Sequence, residues 1–318
     1  MRYLAVLFIV SALLVAGCGD GSRDSGFTNP FIGGSKALDL RFQPGAPVDE
    51  IQDAGNFPFG VTVEVINVGE SDIDVSDGYI KIDGISPEDF GVTSGDFRQE
   101  LPPMRGATKS GQGQIINGDR DAVSFGPMTY MPRLAGSVSS VTVRALACYN
   151  YETRATTTLC VKSNPMDPTT TGDVCDVSGP KRYANSAGPI RVVDVVQNPS
   201  GRDGIQVALT IQPTSANNNF YRADSECTRQ VTDPNIRQVY VEVEPILGGR
   251  LHPTCRGFVE GQGSSGFVRF SSNTDKREIY CTFDVSDVEV DAEVQMDLSI
   301  KYRYEDIISK PILIRSST

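Results

Sequence analysis

The 318-residue sequence predicts an all-β fold that consists of two antiparallel β-sandwich domains. Apolar and polar residues alternate with a period of two in many short segments, which is typical of half-buried strands. Clusters of Gly, Pro, Asn and Asp separate these segments at the spacing found in β-sandwiches. The strongest helical signal is Ser86-Pro87 followed by two acids, and it predicts only one turn. The clearest alternating segments are 38–42, 61–65, 205–211 and 239–243.

Two segments of the chain resemble each other, which predicts a duplicated unit. Residues 141–152 read VTVRALACYNYE and residues 294–305 read VQMDLSIKYRYE, so the offset is 294 − 141 = 153 and both end in Tyr-x-Tyr-Glu. Each segment is predicted to be a long strand that ends in a turn and is followed by a return strand. A second pair, 60–65 and 204–209, shares only its alternation. We interpret the two copies as two β-sandwich modules.

The domain boundary is predicted where periodicity disappears. The stretch SNPMDPTTTGDVCDVSGPKRYANSAG, residues 163–188, has many turn residues and no alternation. We therefore expect a first sandwich over 30–163, a linker over 164–187 and a second sandwich over 188–318.

Composition excludes several functional classes. The chain has 29 basic and 40 acidic residues and a net charge of −11, which argues against binding nucleic acid because phosphate contacts need a basic surface. It has one histidine and no tryptophan, and this removes most histidine-based metal and acid–base chemistry. No cofactor-binding motif stands in a suitable context, so we expect neither a cofactor nor catalysis.

The N-terminus predicts export and lipid attachment. Arg2 precedes an apolar run that is too short to span a bilayer comfortably but suits a signal peptide over residues 1–17. Val15-Ala16-Gly17-Cys18 resembles the lipobox of bacterial lipoproteins. This resemblance implies that Cys18 carries a diacylglyceryl thioether and becomes the acylated mature N-terminus, so that the membrane is a partner. Small polar residues after it predict a flexible tether over 18–29.

The residue after the cysteine bears on localisation within the cell envelope. In lipoproteins of diderm bacteria, aspartate at that position typically marks retention in the inner membrane, whereas this chain has Gly19. The resemblance therefore implies an outer-membrane location if the host has an outer membrane. The alternative is an ordinary secretory signal with an incidental cysteine.

Six further cysteines predict three disulfides in an exported chain. Their pairing stays open, because six cysteines allow 15 arrangements. The candidates are Cys148, Cys160, Cys175, Cys227, Cys255 and Cys281.

One pairing has a geometric argument. Cys148 and Cys160 flank a predicted hairpin centred near Arg154, which favours a bond between them. The next choice is Cys255 with Cys281, which leaves Cys175 with Cys227. A bond between Cys160 and Cys175 competes, because the loop between them is short.

A second resemblance concerns the architecture of the first module. FPFGVTVEVINVGESDI, residues 57–73, resembles the opening strands of immunoglobulin-like surface modules of bacteria and archaea. It implies tandem immunoglobulin-like sandwiches in a cell-envelope or surface protein. The tryptophan that lies between two cysteines in antibody-type domains is missing, so only the architecture carries over.

A weak calcium motif follows this segment. The candidate ligands are Asp72, Asp74, Asp77 and Asp83, but the glycine is at the seventh position instead of the sixth. Since Ile73 and Val75 alternate with the acids, we favour a solvated strand with a turn at Asp77-Gly78.

Two other motifs favour ordinary structure. Residues 261–266 match GxGxxG, but an alternating strand follows instead of a helix, so we expect a hairpin loop. The acids Asp287, Glu289, Asp291 and Glu293 alternate with apolar residues. They favour a charged strand edge over a site for divalent cations.

The remaining candidate motifs and residues do not favour a catalytic site. Residues 91–95 imitate a nucleophile elbow without its α/β context. His252 is the single possible imidazole base, and we expect it in a loop near a disulfide. The tyrosines of the repeat could form a binding stripe, but they continue the apolar side of their strands and favour packing.

The sequence therefore predicts a lipid-anchored protein of the cell envelope that is not an enzyme. It would present two disulfide-bonded sandwiches for structural or adhesion-type binding, with a protein or glycan as the ligand. One alternative is a glycan- or peptide-processing lipoprotein that uses carboxylates. Another is an accessory subunit of an envelope assembly that binds through an open sheet edge.

Overall fold

A computed structural model describes residues 27–167 and 174–317 of the chain. The leader, Cys18 and most of the predicted tether lie outside the described residues. Within those residues the fold is all-β, as predicted: antiparallel sheets dominate and the helices are short 3₁₀ turns. No helix in these two ranges has the length and apolar character needed to cross a membrane.

The described ranges contain twenty strands and three 3₁₀ helices. The 3₁₀ helices are Val75–Asp77, Glu88–Phe90 and Ser94–Phe97. The strands are β1 (Leu38–Phe42), β2 (Glu50–Gln52), β3 (Phe59–Asn67), β4 (Gly78–Asp83), β5 (Arg98–Glu100), β6 (Thr108–Lys109), β7 (Ile115–Ile116), β8 (Arg120–Met128), β9 (Val138–Val161), β10 (Gly179–Pro180), β11 (Tyr183–Asn185), β12 (Ile190–Pro199), β13 (Gly204–Pro213), β14 (Phe220–Tyr221), β15 (Gln238–Val243), β16 (Thr254–Arg256), β17 (Glu260–Gln262), β18 (Ser265–Arg269), β19 (Arg277–Asp284) and β20 (Ala292–Arg315).

Strands β9 and β20 form the axis of the molecule. Each has 24 residues, and they pair in antiparallel register along their whole length, from Val138 opposite Arg315 to Val161 opposite Ala292. At about 3.4 Å per residue the pair is roughly 80 Å long. It lies within one large sheet of order β17-β18-β15-β20-β9-β4-β5, so strands from both halves of the chain share a sheet.

Two smaller sheets pack with this long sheet. One has the order β1-β3-β8 and the other has the order β10-β12-β13-β19-β16. Strand β3 alternates strictly between buried and half-buried residues, as its sequence predicts. Buried side chains of all three sheets form one continuous core, to which Val63, Ala147, Leu209 and Ile300 belong.

The separation into two independent sandwiches is not confirmed, because the long strands cross between the halves. Residues 144–149 of β9 pair with β4, and residues 155–157 of the same strand pair with β11. The last part of β20 pairs with the first part of β9, so the end of the chain lies in the first half of the fold. The predicted linker supplies β10 and β11 instead of remaining irregular.

Three local predictions are wrong. No hairpin occurs near Arg154, which pairs with Ser299 in the middle of the continuous strand β9. The return strands predicted after the two repeats are extensions of β9 and β20. Residues 72–77 form a loop and a 3₁₀ helix instead of a strand, because Asp74 and Asp77 close a capping box at that helix. The single turn predicted after Ser86 is confirmed as Glu88–Phe90.

The repeat has a geometric counterpart in the long strands. Adding the offset of 153 to 150 gives 303, and Asn150 is the register partner of Arg303. Tyr149 pairs with Tyr304 and Tyr151 pairs with Tyr302 around that centre. The two repeated strands are therefore related by an approximate two-fold axis through the Asn150–Arg303 pair.

Candidate functional site

The three disulfides join distant parts of the chain. Cys255–Cys281 is confirmed, and so is the competing pairing Cys160–Cys175. The pairing of Cys148 with Cys160 is wrong, because both lie on β9, twelve residues or roughly 40 Å apart. Cys148 instead binds Cys227 across 79 positions of sequence, which also overturns the pairing of Cys175 with Cys227.

The Cys148–Cys227 bond fastens a segment across the centre of the long sheet. We call this segment, Arg222–Arg229, the strap. The Arg303 guanidinium donates from Nη1 to the Ser225 carbonyl at 2.7 Å. Asn150 donates from Nδ2 to an Asp224 carboxylate oxygen at 2.7 Å and accepts from the Asp224 backbone N–H at 3.1 Å. The strap is thus held by one covalent bond and by the two residues at the approximate two-fold axis.

Glu226 makes a second set of strap contacts. Its carboxylate accepts from the Tyr79 hydroxyl at 3.0 Å and lies 3.4 Å from the Arg98 guanidinium, which also stacks over the Tyr79 ring. Desolvation raises the pKa of Glu226, but the hydrogen bonds from Arg98 and Tyr79 outweigh it and lower the pKa overall. The carboxylate is therefore ionised at neutral pH and links the strap to strands β4 and β5.

Glu305 is a fully buried acid beneath the end of the strap. Its carboxylate lies 3.3 Å from Arg229 Nε and accepts from the Tyr221 hydroxyl at 3.2 Å. Arg229 also pairs with Asp83 at 3.4 Å. Burial raises the pKa of Glu305, while the charge of Arg229 opposes the rise. A buried charge of this kind needs its partners, so it fixes the position of Arg229.

A cavity of about 270 Å³ opens beside the strap. Two of its three acids are engaged: Asp72 accepts from the Gly106 backbone N–H at 2.7 Å, and Asp77 accepts from the Asp74 backbone N–H at 3.1 Å, and Glu152 is the third. Lys301 is paired with Glu242 at 3.2 Å. The cavity can hydrogen-bond a small polar ligand, and it lies next to the approximate two-fold axis, because Asn150 lines it. Its lining comprises Ser71, Asp72, Asp77, Asn150, Tyr151, Glu152, Ala223, Lys301 and Tyr302.

The four calcium candidates do not converge on one point. Asp72 and Asp77 accept hydrogen bonds from backbone N–H groups, and Asp74 precedes a 3₁₀ helix. Asp83 forms ion pairs with Arg144 and Arg229. Within residues 27–167 and 174–317, no group of three or more His, Cys, Asp or Glu side chains is arranged to hold a metal ion.

The repeat tyrosines pack on the core face of the long strands. Tyr149, Tyr151, Tyr302 and Tyr304 are at most 4% exposed, and neighbouring rings lie 6.1–6.2 Å apart. This confirms the packing interpretation. Burial raises the pKa of all four phenols, for Tyr151 to about 12.

The hydroxyls of this cluster tie it to its surroundings. Tyr149 donates to an Asp306 carboxylate oxygen at 2.6 Å, and Tyr151 donates to the Ala187 carbonyl at 2.8 Å. The Tyr302 and Thr153 hydroxyls share a hydrogen bond of 2.8 Å. Desolvation raises the pKa of Asp306 to about 6.

The other predicted motifs have structural roles. Residues 261–266 form the hairpin between β17 and β18, as expected. Residues 287–291 form a loop instead of a strand edge, and of the four acids only Glu293 lies in β20. Thr93 caps a 3₁₀ helix with Asp96, so residues 91–95 make no nucleophile elbow. His252 is exposed at a cavity of about 420 Å³ that Asp203 and Asp284 also line.

Sequence reasoning missed the strap and its buried anchors. Arg303 and Glu305 are both under 10% exposed, although each lies on the polar side of an alternating strand. Alternation alone assigns that side to solvent. The sequence offered one signal of this burial. Cys148 lies on β9, the partner strand of β20, and a cysteine in a chain predicted to be exported indicates a disulfide partner packed nearby.

No protein-family model matches this chain, and no curated protein matches it. Among solved structures it is similar to one described as Escherichia coli alpha-2-macroglobulin activated by porcine elastase, with 10% sequence identity and a TM-score of 0.14. The match covers 90% of this chain and 23% of that chain, so this chain spans less than a quarter of the length of its neighbour. A likeness of this size has no bearing on function.

Proposed function

We propose that this is a lipid-anchored protein of the cell envelope that acts by structure and binding and not by catalysis. The all-β fold and the three disulfides are consistent with a secreted or envelope β-sandwich protein. The observation that carries the proposal is the full-length pairing of β9 with β20, which joins both halves of the fold into one body roughly 80 Å long. A long body with a lipid at one terminus holds a binding surface away from the membrane.

The disulfides support an extracytoplasmic location. All six cysteines in the described residues are paired, and each bond closes a different loop. Such bonds persist in oxidising compartments and are rare in the cytosol.

The central cavity supports a binding role over a catalytic one. Of the three acids that line it, Asp72 and Asp77 accept backbone hydrogen bonds, and Lys301 is paired with a carboxylate. Hydrolysis by a pair of carboxylates needs two acids that act on the substrate, and only Glu152 of the three is not engaged in this way. The ligand class that we propose is a protein or a glycan of the envelope.

Acyl-chain labelling in a bacterial host tests the anchor. The full chain is expressed with a labelled fatty acid, with and without globomycin, next to the variant Cys18→Ala. We expect label on the wild type alone, loss of processing in globomycin, and release of any processed variant from membranes. Absence of label from the wild type, or processed Cys18→Ala that fractionates with membranes as the wild type does, would overturn the lipid anchor.

Crosslinking in intact cells tests the binding role. The acylated protein is crosslinked and purified under denaturing conditions, with Glu226→Ala and the surface variant Glu278→Ala as a matched pair. We expect a defined envelope component in the wild type and in Glu278→Ala, and less of it in Glu226→Ala because the strap is loosened. Turnover of a peptide or glycan by the purified protein would contradict a purely binding role.

A further inference from the structure

A small hairpin stands away from the three main sheets. Strands β6 and β7 pair only with each other, with Thr108 opposite Ile116 and Lys109 opposite Ile115. Its turn closes through a hydrogen bond from the Ser110 N–H to the Gln114 carbonyl at 2.8 Å. A two-stranded ribbon that joins no larger sheet is marginally stable in water, so contact with a further surface would stabilise it.

The hairpin exposes two large apolar side chains next to each other. Ile115 is 57% exposed and Ile116 is 63% exposed. Successive residues of a strand point to opposite faces, so both faces of the ribbon are open. Among the large apolar residues that are exposed in the described ranges, these two form the sole adjacent pair. Residues 110–117, SGQGQIIN, carry no charge.

The hairpin touches the part of the chain that leads to Cys18. Lys109 Nζ donates to the carbonyls of Asn29 at 3.0 Å and Phe31 at 3.3 Å. Asn29 follows Cys18 by 29 − 18 = 11 residues. A tether of eleven residues, if it has the flexibility that its composition predicts, has a typical end-to-end distance of roughly 17–20 Å and reaches at most about 40 Å. A lipid on Cys18 would therefore hold the hairpin close to the bilayer surface.

The local charge is less unfavourable towards an anionic membrane than that of the chain as a whole. The segment 105–121 contains Arg105, Lys109 and Arg120 against Asp119 and Asp121, so its net charge is 3 − 2 = +1 in a chain of −11. Basic residues near an anionic lipid surface contribute favourable binding energy, and apolar side chains between them enter the boundary of headgroups and acyl chains.

We propose that the β6–β7 hairpin is a membrane-contact element, which lays Ile115 or Ile116 into the headgroup region of the bilayer that holds the lipid anchor. The inference rests on the lipid attachment proposed above. It gives the body a second contact with the membrane and so restricts the orientation of the long axis.

Single tryptophans test the inference directly, because the chain contains none. The acylated protein is purified as Ile115→Trp, Ile116→Trp and the control Val231→Trp, which replaces a residue that is 77% exposed on the loop after the strap. Each is reconstituted in vesicles of phosphatidylethanolamine and phosphatidylglycerol that contain brominated acyl chains. We expect a blue-shifted emission and roughly twofold quenching by the brominated lipid for at least one hairpin variant, and neither for Val231→Trp.

The same samples distinguish failure of the membrane-contact proposal from failure of the lipid-anchor proposal. The mass of the N-terminal peptide reports acylation. The membrane contact would be overturned, and the anchor left intact, by one result. In it the protein is acylated and bound to vesicles, but aqueous iodide still quenches the fluorescence of the hairpin tryptophans. A blue shift that depends on protein concentration, together with crosslinks between copies, would also overturn it in favour of a protein interface. An N-terminal peptide without lipid would withdraw both proposals.

Discussion

Asn150 and Arg303 face each other across β9 and β20, and they also occupy equivalent positions in the internal repeat. The two backbone positions are related by the approximate two-fold axis, but the side chains differ. Asn150 binds the Asp224 carboxylate, whereas Arg303 binds the Ser225 carbonyl and the Asp77 carbonyl. A single strap therefore crosses the approximate two-fold axis of the paired strands β9 and β20, and its contacts with the two residues differ.

Arg303→Met should destabilise the protein and free the strap. The change leaves the Ser225 and Asp77 carbonyls without their donor beneath the strap, and we expect a loss of roughly 2–4 kcal/mol in the free energy of unfolding. Chemical denaturation measures the loss, and hydrogen exchange shows whether strap amides become less protected. The matched control Arg105→Met changes an arginine whose side chain is 83% exposed and should alter stability by less than about 0.5 kcal/mol. Equal stability of the two variants would contradict the role of Arg303.

The three disulfides should differ in their contribution to stability. The Cys148–Cys227 bond spans 79 positions and the Cys160–Cys175 bond spans 15. Chain-entropy arguments give about 4.5 kcal/mol for the longer loop and about 3 kcal/mol for the shorter. We therefore expect the double variant Cys148→Ser/Cys227→Ser to unfold at a lower denaturant concentration than Cys160→Ser/Cys175→Ser. The opposite order would contradict the argument from loop length.

Asp306 should make stability depend on pH in the weakly acidic range. Its pKa is raised from 3.8 to about 6 by burial, against the opposing hydrogen bond from Tyr149. Because the folded state holds this proton more tightly than the unfolded state, the carboxyl contributes stability below about pH 4 that is lost as the pH rises through 6.

The variant Asp306→Asn tests this dependence. We expect its unfolding free energy to decline less than that of the wild type between pH 4 and pH 7, by roughly 1–3 kcal/mol, the lower figure allowing for the partial exposure of the side chain. Asp287→Asn, at an exposed loop position, serves as the control. A wild-type profile that Asp306→Asn leaves unchanged would show that another group titrates.

The buried phenols should titrate only when the protein unfolds. Burial raises the pKa of Tyr79, Tyr149, Tyr151, Tyr221, Tyr302 and Tyr304. We expect phenolate absorbance to rise first near pH 10 and again, abruptly, in the unfolding transition. Tyr302→Phe should reduce the second step. A single smooth titration of all tyrosines would contradict the packing.

Alternation predicted strands well wherever one face is buried, as in β3 and β13, because the side-chain period of a strand is fixed. It failed at Arg154, where a polar run within a long strand looks like a turn. What keeps that run extended is pairing with residues near Ser299, and sequence pattern does not reveal a partner so far along the chain.

The candidate site was less predictable than the fold for the same reason. Burial of Arg303 and Glu305 depends on a strap that arrives from a separate part of the chain. The pairing Cys255–Cys281 could be proposed from proximity in sequence, whereas Cys148–Cys227 could not. The lipid anchor remains a prediction, because Cys18 lies outside the described residues.

The position of the last strand also constrains the order in which the protein can mature. Residues 304–315 supply the neighbour of residues 138–149 of β9 on the side away from β4, so that side of β9 stays open until β20 has been synthesised. Completion of the long sheet is thereby postponed. The export proposed above would benefit from this delay, because a secretory translocon threads an unfolded chain through a membrane.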